Sequence, residues 1–155
     1  MILINFNLNG ENISKKISLS LAARSLLDSI YCSKSNKLEC VVNNRFFLIL
    51  LDSRLVYSNL IPAFILNGRS VVTLEGLKKK SFYQYMQKIL LEDDFNFCNN
   101  CFESNVLMFY YFLESKIVSK SDILGYRNSL KCNCIDINTF LSLYLKAEEL
   151  YRKNG

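Results

Sequence analysis

Four of the six cysteines stand in two close pairs in the second half of the chain. Cys98 and Cys101 are separated by two residues, and Cys132 and Cys134 by one residue. Thiolates are soft ligands that suit zinc and iron–sulfur clusters. Two such pairs converge on one metal centre when the segment between them folds back as a helical hairpin. Each pair lies among polar residues, where a cysteine gains little from packing, so we predict that these four thiols bind a metal.

The spacing of the two pairs bears on which metal they bind. Four thiolates suit tetrahedral zinc and a [2Fe-2S] cluster almost equally well. Zinc ribbons and fingers usually present two C-x2-C pairs that lie closer together in sequence. The single residue between Cys132 and Cys134 therefore favours iron and sulfur, and zinc stays as the alternative.

The segment between the two pairs has the pattern of two helices. Residues Val106 to Leu113 are continuously apolar or aromatic, and a helical pattern follows from Ser121 to Leu130. With another apolar helix after Cys134, these segments predict a helical bundle over residues 78–155. The aromatic residues of this half recur at helical spacing, so we expect them in the core and at a subunit interface rather than against a flavin.

The first half of the chain has patterns typical of β-structure. Apolar residues alternate on both sides of Asn9-Gly10, the strongest short signal of a hairpin, and Asp52-Ser53 separates two further apolar runs. Ser20 is placed to cap a helix. The predicted elements are a hairpin at 2–19, a helix at 20–30, a hairpin at 45–58 and a strand at 70–74. Their order indicates an α+β chain that begins with a β-grasp domain, like that of plant-type ferredoxins, over residues 1–77.

Composition restricts what this chain can do. Its 155 residues, 50% of them hydrophobic, are enough for one large or two small folded units. It contains no histidine, the commonest general base, so we expect no substrate chemistry on this chain. The net charge of +5 includes no basic block longer than Lys78-Lys79-Lys80, which argues against a nucleic-acid partner.

Two features bear on the compartment. The N-terminus alternates apolar and polar residues, and no apolar run approaches the length of a membrane helix, so we expect a cytoplasmic protein without a membrane partner. In a reducing compartment, the cysteines are expected to be metal ligands or free thiols rather than disulfides.

The cysteine pairs and their flanks also resemble a known family. Phe97-Cys98-Asn-Asn-Cys101 ahead of an apolar helix, and Asn128-Ser-Leu-Lys-Cys132-Asn-Cys134 ahead of another, resemble the C-terminal cluster domain of the small iron–sulfur subunit of molybdenum hydroxylases. This is the group of xanthine dehydrogenase, aldehyde oxidase and carbon monoxide dehydrogenase. The resemblance covers nearly the whole chain, and Val72 to Leu77 looks like the family's interdomain junction.

The resemblance implies a second cluster site in the N-terminal domain, which in the family is bound by C-x4-C-x2-C and a fourth cysteine. Alignment through the hairpin from Leu48 to Ser58 brings four residues other than cysteine to these positions: Glu39, Asn44, Phe47 and Asn59. Cys32 and Cys40 are offset from the ligand positions and are interpreted as structural or incidental. We therefore expect the N-terminal domain to hold no cluster.

The C-terminal motif departs from the family's pattern next to the ligands. Phe97 stands where the family usually has a glutamine that faces the pterin cofactor, and Ile135-Asp136-Ile137 replaces Thr-Gly-Tyr. These changes spare the cysteines. They alter the surface that would meet a molybdopterin subunit, because glycines that permit close backbone approach have become larger side chains.

Taken with the resemblance, the sequence predicts an oxidoreductase subunit for electron transfer. One [2Fe-2S] cluster is expected at Cys98, Cys101, Cys132 and Cys134, with hydrogen bonds to sulfur from the amides of Asn99, Asn100 and Asn133. The expected partners are a molybdopterin-binding large subunit and, further along the electron path, an FAD-binding subunit. Two alternatives stay open: a cluster-free subunit that only stabilises its partner, and a zinc-stapled binding module.

Overall fold

A computed structural model describes residues 1–34, 48–99, 101–115, 119–130 and 132–154 of the chain. The chain divides into two compact units, Met1–Gly76 and Leu77–Gly155. The first unit is built on a sheet and the second on helices, so the fold is mixed α and β.

The first unit contains a five-stranded mixed sheet with the strand order β2-β1-β5-β3-β4. The central strands β1 and β5 are parallel, whereas the other neighbours are antiparallel. In chain order, its elements are β1 (Ile2–Leu8), β2 (Glu11–Ile17), α1 (Ala23–Lys34), β3 (Leu48–Leu51), β4 (Arg54–Tyr57), a 3-10 helix (Ala63–Leu66) and β5 (Ser70–Val72).

Both predicted hairpins are present. Asn9 and Gly10 have φ angles of 54° and 93°, the positive values that a tight two-residue hairpin turn requires. The turn pairs Leu8 with Glu11 and carries the register to Ile2 opposite Ile17. The second hairpin joins β3 to β4 through Asp52-Ser53, whose φ angles are also positive. Residues 45–47 of that prediction lie outside the described part of the chain.

The predicted start of the first helix is wrong. Helix α1 begins at Ala23 rather than next to Ser20, and the Ser20 hydroxyl instead lies 3.0 Å from that of Ser18. The reason is a long-range contact, because the backbone N–H groups of Ala23 and Arg24 donate to the carbonyls of Ile61 and Ser58. These carbonyls satisfy N–H groups that a capping side chain would otherwise have to satisfy.

Mainly aliphatic side chains, with one phenylalanine, form the core of the first unit. Alternate residues of β1, Ile4 and Phe6, are buried on one face of the sheet, where α1 contributes residues at helical spacing. The buried members are Ile4, Phe6, Ile17, Ala23, Leu26, Leu27, Ile30, Ile49, Leu51, Ala63, Leu66 and Val71. Burial of this apolar surface is the main stabilising term for the unit.

A polar latch ties the first hairpin turn to the chain after β5. The Asn9 Nδ2 donates to Thr73 Oγ1 over 2.9 Å, and the Thr73 backbone N–H donates to Asn9 Oδ1 over 2.9 Å. The Asn9 side chain lies so close to Gly76 that a Cβ at this position would be 2.3 Å from Asn9 Oδ1. Glycine is therefore required at position 76 for this contact.

The second unit is an assembly of helices. After the short α2 (Leu74–Leu77), its helices are α3 (Ser81–Glu92), α4 (Phe102–Ser115), α5 (Lys120–Ser129) and α6 (Ile137–Asn154). The predicted helices at 106–113 and 121–130 correspond to α4 and α5, and both predictions are confirmed. Helix α5 starts with a capping box, in which Ser119 and Asp122 satisfy each other's backbone N–H groups.

Aromatic rings fill the centre of the second unit. Phe109 of α4 is fully buried, and its ring contacts Phe97, Phe140 and Tyr144 at centroid distances of 6.3, 4.8 and 5.8 Å. Helix α4 thus packs against α6 and against the segment that carries Cys98. No helix in the described part of the chain is both long and apolar enough to cross a membrane.

Candidate metal centre

The first cysteine pair is held by the turn that leads into α4. The backbone N–H groups of Cys101 and Phe102 donate to the Cys98 carbonyl over 3.1 and 3.0 Å. The buried side chain of Asn105, one turn into the helix, donates through Nδ2 to the Cys101 carbonyl over 2.9 Å. These bonds fold the chain tightly, so that both thiols lie at the N-terminal end of α4.

The second pair lies between α5 and α6. Asp136 caps α6, because its Oδ1 accepts the backbone N–H groups of Asn138 and Thr139 over 2.9 and 3.0 Å. On the other side of the loop, the buried Arg127 donates through its guanidinium to the Ile135 carbonyl over 2.6 Å. The loop with Cys132 and Cys134 is therefore fixed from both adjoining helices.

The structure brings all four predicted cysteines together. Their Sγ atoms lie within 4.8 Å of one another. The Sγ distances are 3.2 Å for Cys98 to Cys101, 3.5 Å for Cys98 to Cys132 and 3.0 Å for Cys101 to Cys134. Cys101 is buried, Cys98 and Cys132 are partly buried, and Cys134 is exposed. The group thus has one side in the protein interior and one side open to solvent.

The clustering shifts the pKa values of the thiols in opposite directions. Burial raises the pKa of Cys98, but hydrogen bonds from the neighbouring thiols and from the Cys101 amide outweigh it and lower the pKa to about 7. Burial, together with contacts to the other thiols, raises the pKa of Cys101 well above its ordinary value. Burial also raises the pKa of Cys132. One thiolate forms readily, whereas ionising all four requires a bound cation to compensate their charge.

The donor set fits a metal that prefers sulfur. Among the described residues, the group consists only of cysteines, with no carboxylate, which excludes hard cations such as magnesium and calcium as preferred occupants. Four thiolates around one tetrahedral zinc at about 2.3 Å lie about 3.8 Å apart. The same four thiolates bind a [2Fe-2S] cluster, two to each iron. Both occupants match the chemistry of the site.

Several predicted residues fall outside this arrangement. Of the four positions aligned with the family's N-terminal ligands, only Asn59 lies in the described part of the chain, since Glu39, Asn44 and Phe47 do not. Cys40, Asn100 and Lys131 are also outside it. Cys32, in the last turn of α1, is disulfide-bonded, so the expectation that the cysteines are ligands or free thiols is wrong for Cys32.

Sequence reasoning missed two residues that support the site, Asn105 and Arg127. Asn105 follows Cys101 by four residues, the spacing that places two residues on one helix face, and this was the available signal. Arg127 follows the buried Ile123 of α5 by four residues, so it lies on the buried face of that helix. In the structure, the backbone amides of Cys101 and Cys134 donate to the thiols of Cys98 and Cys132, and donation from the amides of Asn99, Asn100 and Asn133 stays a prediction.

Comparison with solved structures identifies the class of fold. The chain has the fold of molybdenum hydroxylase structures, so the resemblance in the sequence is confirmed at the level of the fold. Quinoline 2-oxidoreductase from Pseudomonas putida 86 matches with a TM-score of 0.74 and 17% identity, over 98% of this chain and 96% of that chain.

Two aldehyde oxidoreductases match as part of longer chains. The enzyme from Desulfovibrio desulfuricans ATCC 27774 has a TM-score of 0.76 and 18% identity over 99% of this chain, which spans 17% of the matched chain. The enzyme from Desulfovibrio gigas has a TM-score of 0.76 and 14% identity over 100% of this chain, which spans 18% of the matched chain. No protein-family model and no curated protein sequence matches.

Proposed function

We propose that this protein is the electron-transfer subunit of a molybdopterin-dependent hydroxylase or dehydrogenase complex. One [2Fe-2S] cluster is bound by Cys98, Cys101, Cys132 and Cys134. The observation that carries the proposal is the convergence of these four Sγ atoms within 4.8 Å, in a chain that shares its fold with quinoline 2-oxidoreductase over almost its entire length.

The two units have different proposed roles, because their secondary structure and their cysteines differ. Residues 1–77 form a β-grasp, ferredoxin-like domain without a cluster, and residues 78–155 form the helical cluster-binding domain. The mixed sheet with parallel central strands and α1 packed on its core face supports the first assignment. The position of all four clustered thiols after residue 77 supports the second.

The bound cluster supplies one-electron transfer, and the residues of this chain bind and shield it. The thiols bind as thiolates, so loading the site releases protons. The buried Cys101 lies on the inner side of the group, and the exposed Cys134 marks the side nearest to solvent. Burial and hydrogen bonds to sulfur are the means by which a protein tunes the reduction potential of such a cluster.

The proposed partner is a larger molybdopterin-binding subunit. In the aldehyde oxidoreductases, the region similar to this chain makes up 17% and 18% of the matched chain. By contrast, the region similar to this chain makes up 96% of the matched chain of quinoline 2-oxidoreductase. A chain of this fold therefore occurs both alone and joined to a longer polypeptide, and we propose that this one docks on a separate large subunit. An FAD-binding subunit is the onward electron acceptor where the complex contains one.

The compactness of the thiol group favours a second candidate, a binding module stapled by one zinc ion. The Sγ distances of 3.0 to 3.5 Å, with none above 4.8 Å, are closer to the edges of one tetrahedron, about 3.8 Å, than to the wider spread that two irons impose. In this role the metal would hold α4 and α6 together without redox chemistry.

An absorption spectrum of the full chain, purified without oxygen, separates the candidates. A brown protein whose visible absorbance bleaches on reduction supports the electron-transfer subunit. A colourless protein with one zinc per chain supports the stapled module and contradicts the proposal. A colourless, metal-free and folded protein would contradict both and indicate a subunit that only stabilises its partner.

A further inference from the structure

Arg127 is a buried cation beside the proposed metal centre. Only 6% of the residue is exposed. Its guanidinium donates to the Ile135 carbonyl over 2.6 Å and lies 5.7 Å from the centroid of the Phe140 ring. Among the described residues, the buried Nε atom has no hydrogen-bond partner. Within the described residues, no carboxylate forms an ion pair with Arg127.

A buried charge without a counter-charge is strongly destabilising. Arginine stays protonated in proteins, so Arg127 cannot escape this penalty by losing its proton. The carbonyl of Ile135 and the ring of Phe140 offset a part of it as dipole and cation–π partners. An anionic group nearby would offset the rest of this penalty, although no described carboxylate lies within ion-pair distance of Arg127.

Two groups that can be anionic adjoin the Ile135 carbonyl in the sequence: the exposed carboxylate of Asp136, which accepts backbone N–H groups at the start of α6, and the thiol cluster. The carbonyl that Arg127 contacts belongs to the residue after Cys134. Standard backbone dimensions therefore limit the distance from the guanidinium nitrogen to the Cα of Cys134 to at most about 9 Å. At this separation, and at the effective dielectric of a protein surface, one unit charge changes an equilibrium by about tenfold or more.

We propose that Arg127 is the positioning and charge-compensating residue of the thiolate site, an inference that rests on the proposed ligand set. Four thiolates with one Zn²⁺, and four thiolates with two Fe³⁺ and two sulfides, both carry a net charge of −2. One-electron reduction of the cluster makes its charge −3. Arg127 therefore strengthens metal binding and favours the reduced cluster, while its hydrogen bond to Ile135 orients the loop that carries Cys134.

Two substitutions separate charge from packing. Arg127→Lys keeps the positive charge but loses the planar, multiply donating guanidinium, whereas Arg127→Gln keeps a donor and loses the charge. Arg152→Met is the matched control, because it also removes one positive charge from the second unit. The Arg152 side chain is 74% exposed and pairs with Glu148 on the surface, where solvent screens it.

The first measurement is the midpoint potential of the loaded protein by spectroelectrochemistry. Arg127→Gln should lower the equilibrium constant for reduction about tenfold, which is about 59 mV for one electron. Arg127→Lys should stay within about threefold of the unsubstituted protein, since the charge is retained. Arg152→Met should leave the potential unchanged. An unchanged potential in Arg127→Gln, with full iron content, would overturn the inference and leave the proposed function intact.

The second measurement uses Co²⁺ alone as a probe of the metal-free chain, with its thiolate-to-metal absorption as the readout. Arg127→Gln should bind Co²⁺ about tenfold more weakly than the unsubstituted protein, and Arg127→Lys should restore most of the affinity. Equal affinities would overturn the inference even if the protein never carries iron. A chain that binds neither iron and sulfide nor Co²⁺ would overturn the inference and the proposed function together. Circular dichroism of each metal-free variant checks that its helices are retained.

Discussion

The two units differ in the residues that form their buried cores. In the first unit, strands β1, β3 and β5 and helix α1 bury a core of mainly aliphatic side chains. In the second unit, rings around Phe109 form the centre, and four thiols close the end where α4 and α6 begin. The comparison teaches that the described residues of the first unit close a core with apolar side chains, whereas the helical unit brings together four thiols that could hold a metal.

The same contrast is visible in how each unit fixes its loops. The hairpin turn at Asn9 is held by uncharged hydrogen bonds to Thr73. The loop at Cys134 is held by a buried arginine and a capping aspartate, Asp136. Neutral hydrogen bonds need no further partner, whereas a buried cation is stabilised by an anionic group nearby and a group of thiolates by a bound metal.

Removing one proposed ligand should affect only the second unit. We expect Cys132→Ala to abolish the visible absorbance and to destabilise the helical unit by several kcal/mol, on the order of a large part of the metal's binding free energy. The first unit should keep its stability. Iron analysis and hydrogen exchange resolved by segment measure both effects.

The control for this substitution is Cys32→Ala, which removes a cysteine of α1 together with its disulfide and should still retain full iron content. Full iron retention in Cys132→Ala, or unchanged exchange in residues 81–154, would show that Cys132 is not a ligand.

Two glycine-to-alanine substitutions, one in each unit, should change the free energy of unfolding in opposite directions. Gly76→Ala places a Cβ 2.3 Å from Asn9 Oδ1, so we expect it to break the latch and destabilise the first unit by about 1–3 kcal/mol. Gly125→Ala in α5 meets nothing within 4 Å and should stabilise the second unit by about 0.5–1 kcal/mol, because alanine is the better helix former. Denaturant unfolding of each variant provides the measurement, and a stable Gly76→Ala would show that the latch is unimportant.

The smallest effect concerns the C-terminal helix. Tyr151 of α6 donates a hydrogen bond to the Glu114 carboxylate, which, with burial, raises the pKa of Tyr151 to about 12. Because the folded pKa exceeds the unfolded value of about 10, this contribution is complete below pH 10 and is lost as the pH rises towards 12. Tyr151→Phe keeps the ring beside Phe82 and should destabilise the protein by roughly 0.5–1 kcal/mol at neutral pH.

The stability difference between the unsubstituted protein and Tyr151→Phe should shrink as the pH rises through this window, which unfolding at several pH values measures. A difference that stays constant from pH 8 to pH 12 would contradict the assignment of the raised pKa to this hydrogen bond.

Local patterns in the sequence predicted the elements whose signals are local. The alternation in residues 2–8 and the Asn9-Gly10 turn predicted the first hairpin, and the apolar run at 106–113 predicted α4. The start of α1 was predicted wrongly, because its first N–H groups bond to the distant carbonyls of Ser58 and Ile61. No local pattern carries such a contact between segments about forty residues apart in the chain.

The proximity of the four thiols was also predictable, since spacing and a helical hairpin were sufficient for it. Of the two supporting residues, Asn105 had a signal in its spacing from Cys101, whereas Arg127 had none. An arginine in a short polar helix looks like a solvated residue, and only the tertiary structure reveals that Arg127 is buried against Phe140. The disulfide at Cys32 was not predicted, because the cysteines were expected to be reduced in a cytoplasmic protein.

The central claim is that one set of four thiols holds one [2Fe-2S] cluster and that the first unit holds none. The most direct test is to measure iron, acid-labile sulfide and zinc in the full chain, purified without oxygen, against its protein concentration. We expect about two irons and two sulfides per chain, by the stoichiometry of such a cluster, and no zinc. Four irons per chain would show a loaded site in the first unit, and one zinc without iron would show that the four thiols serve a structural ion instead.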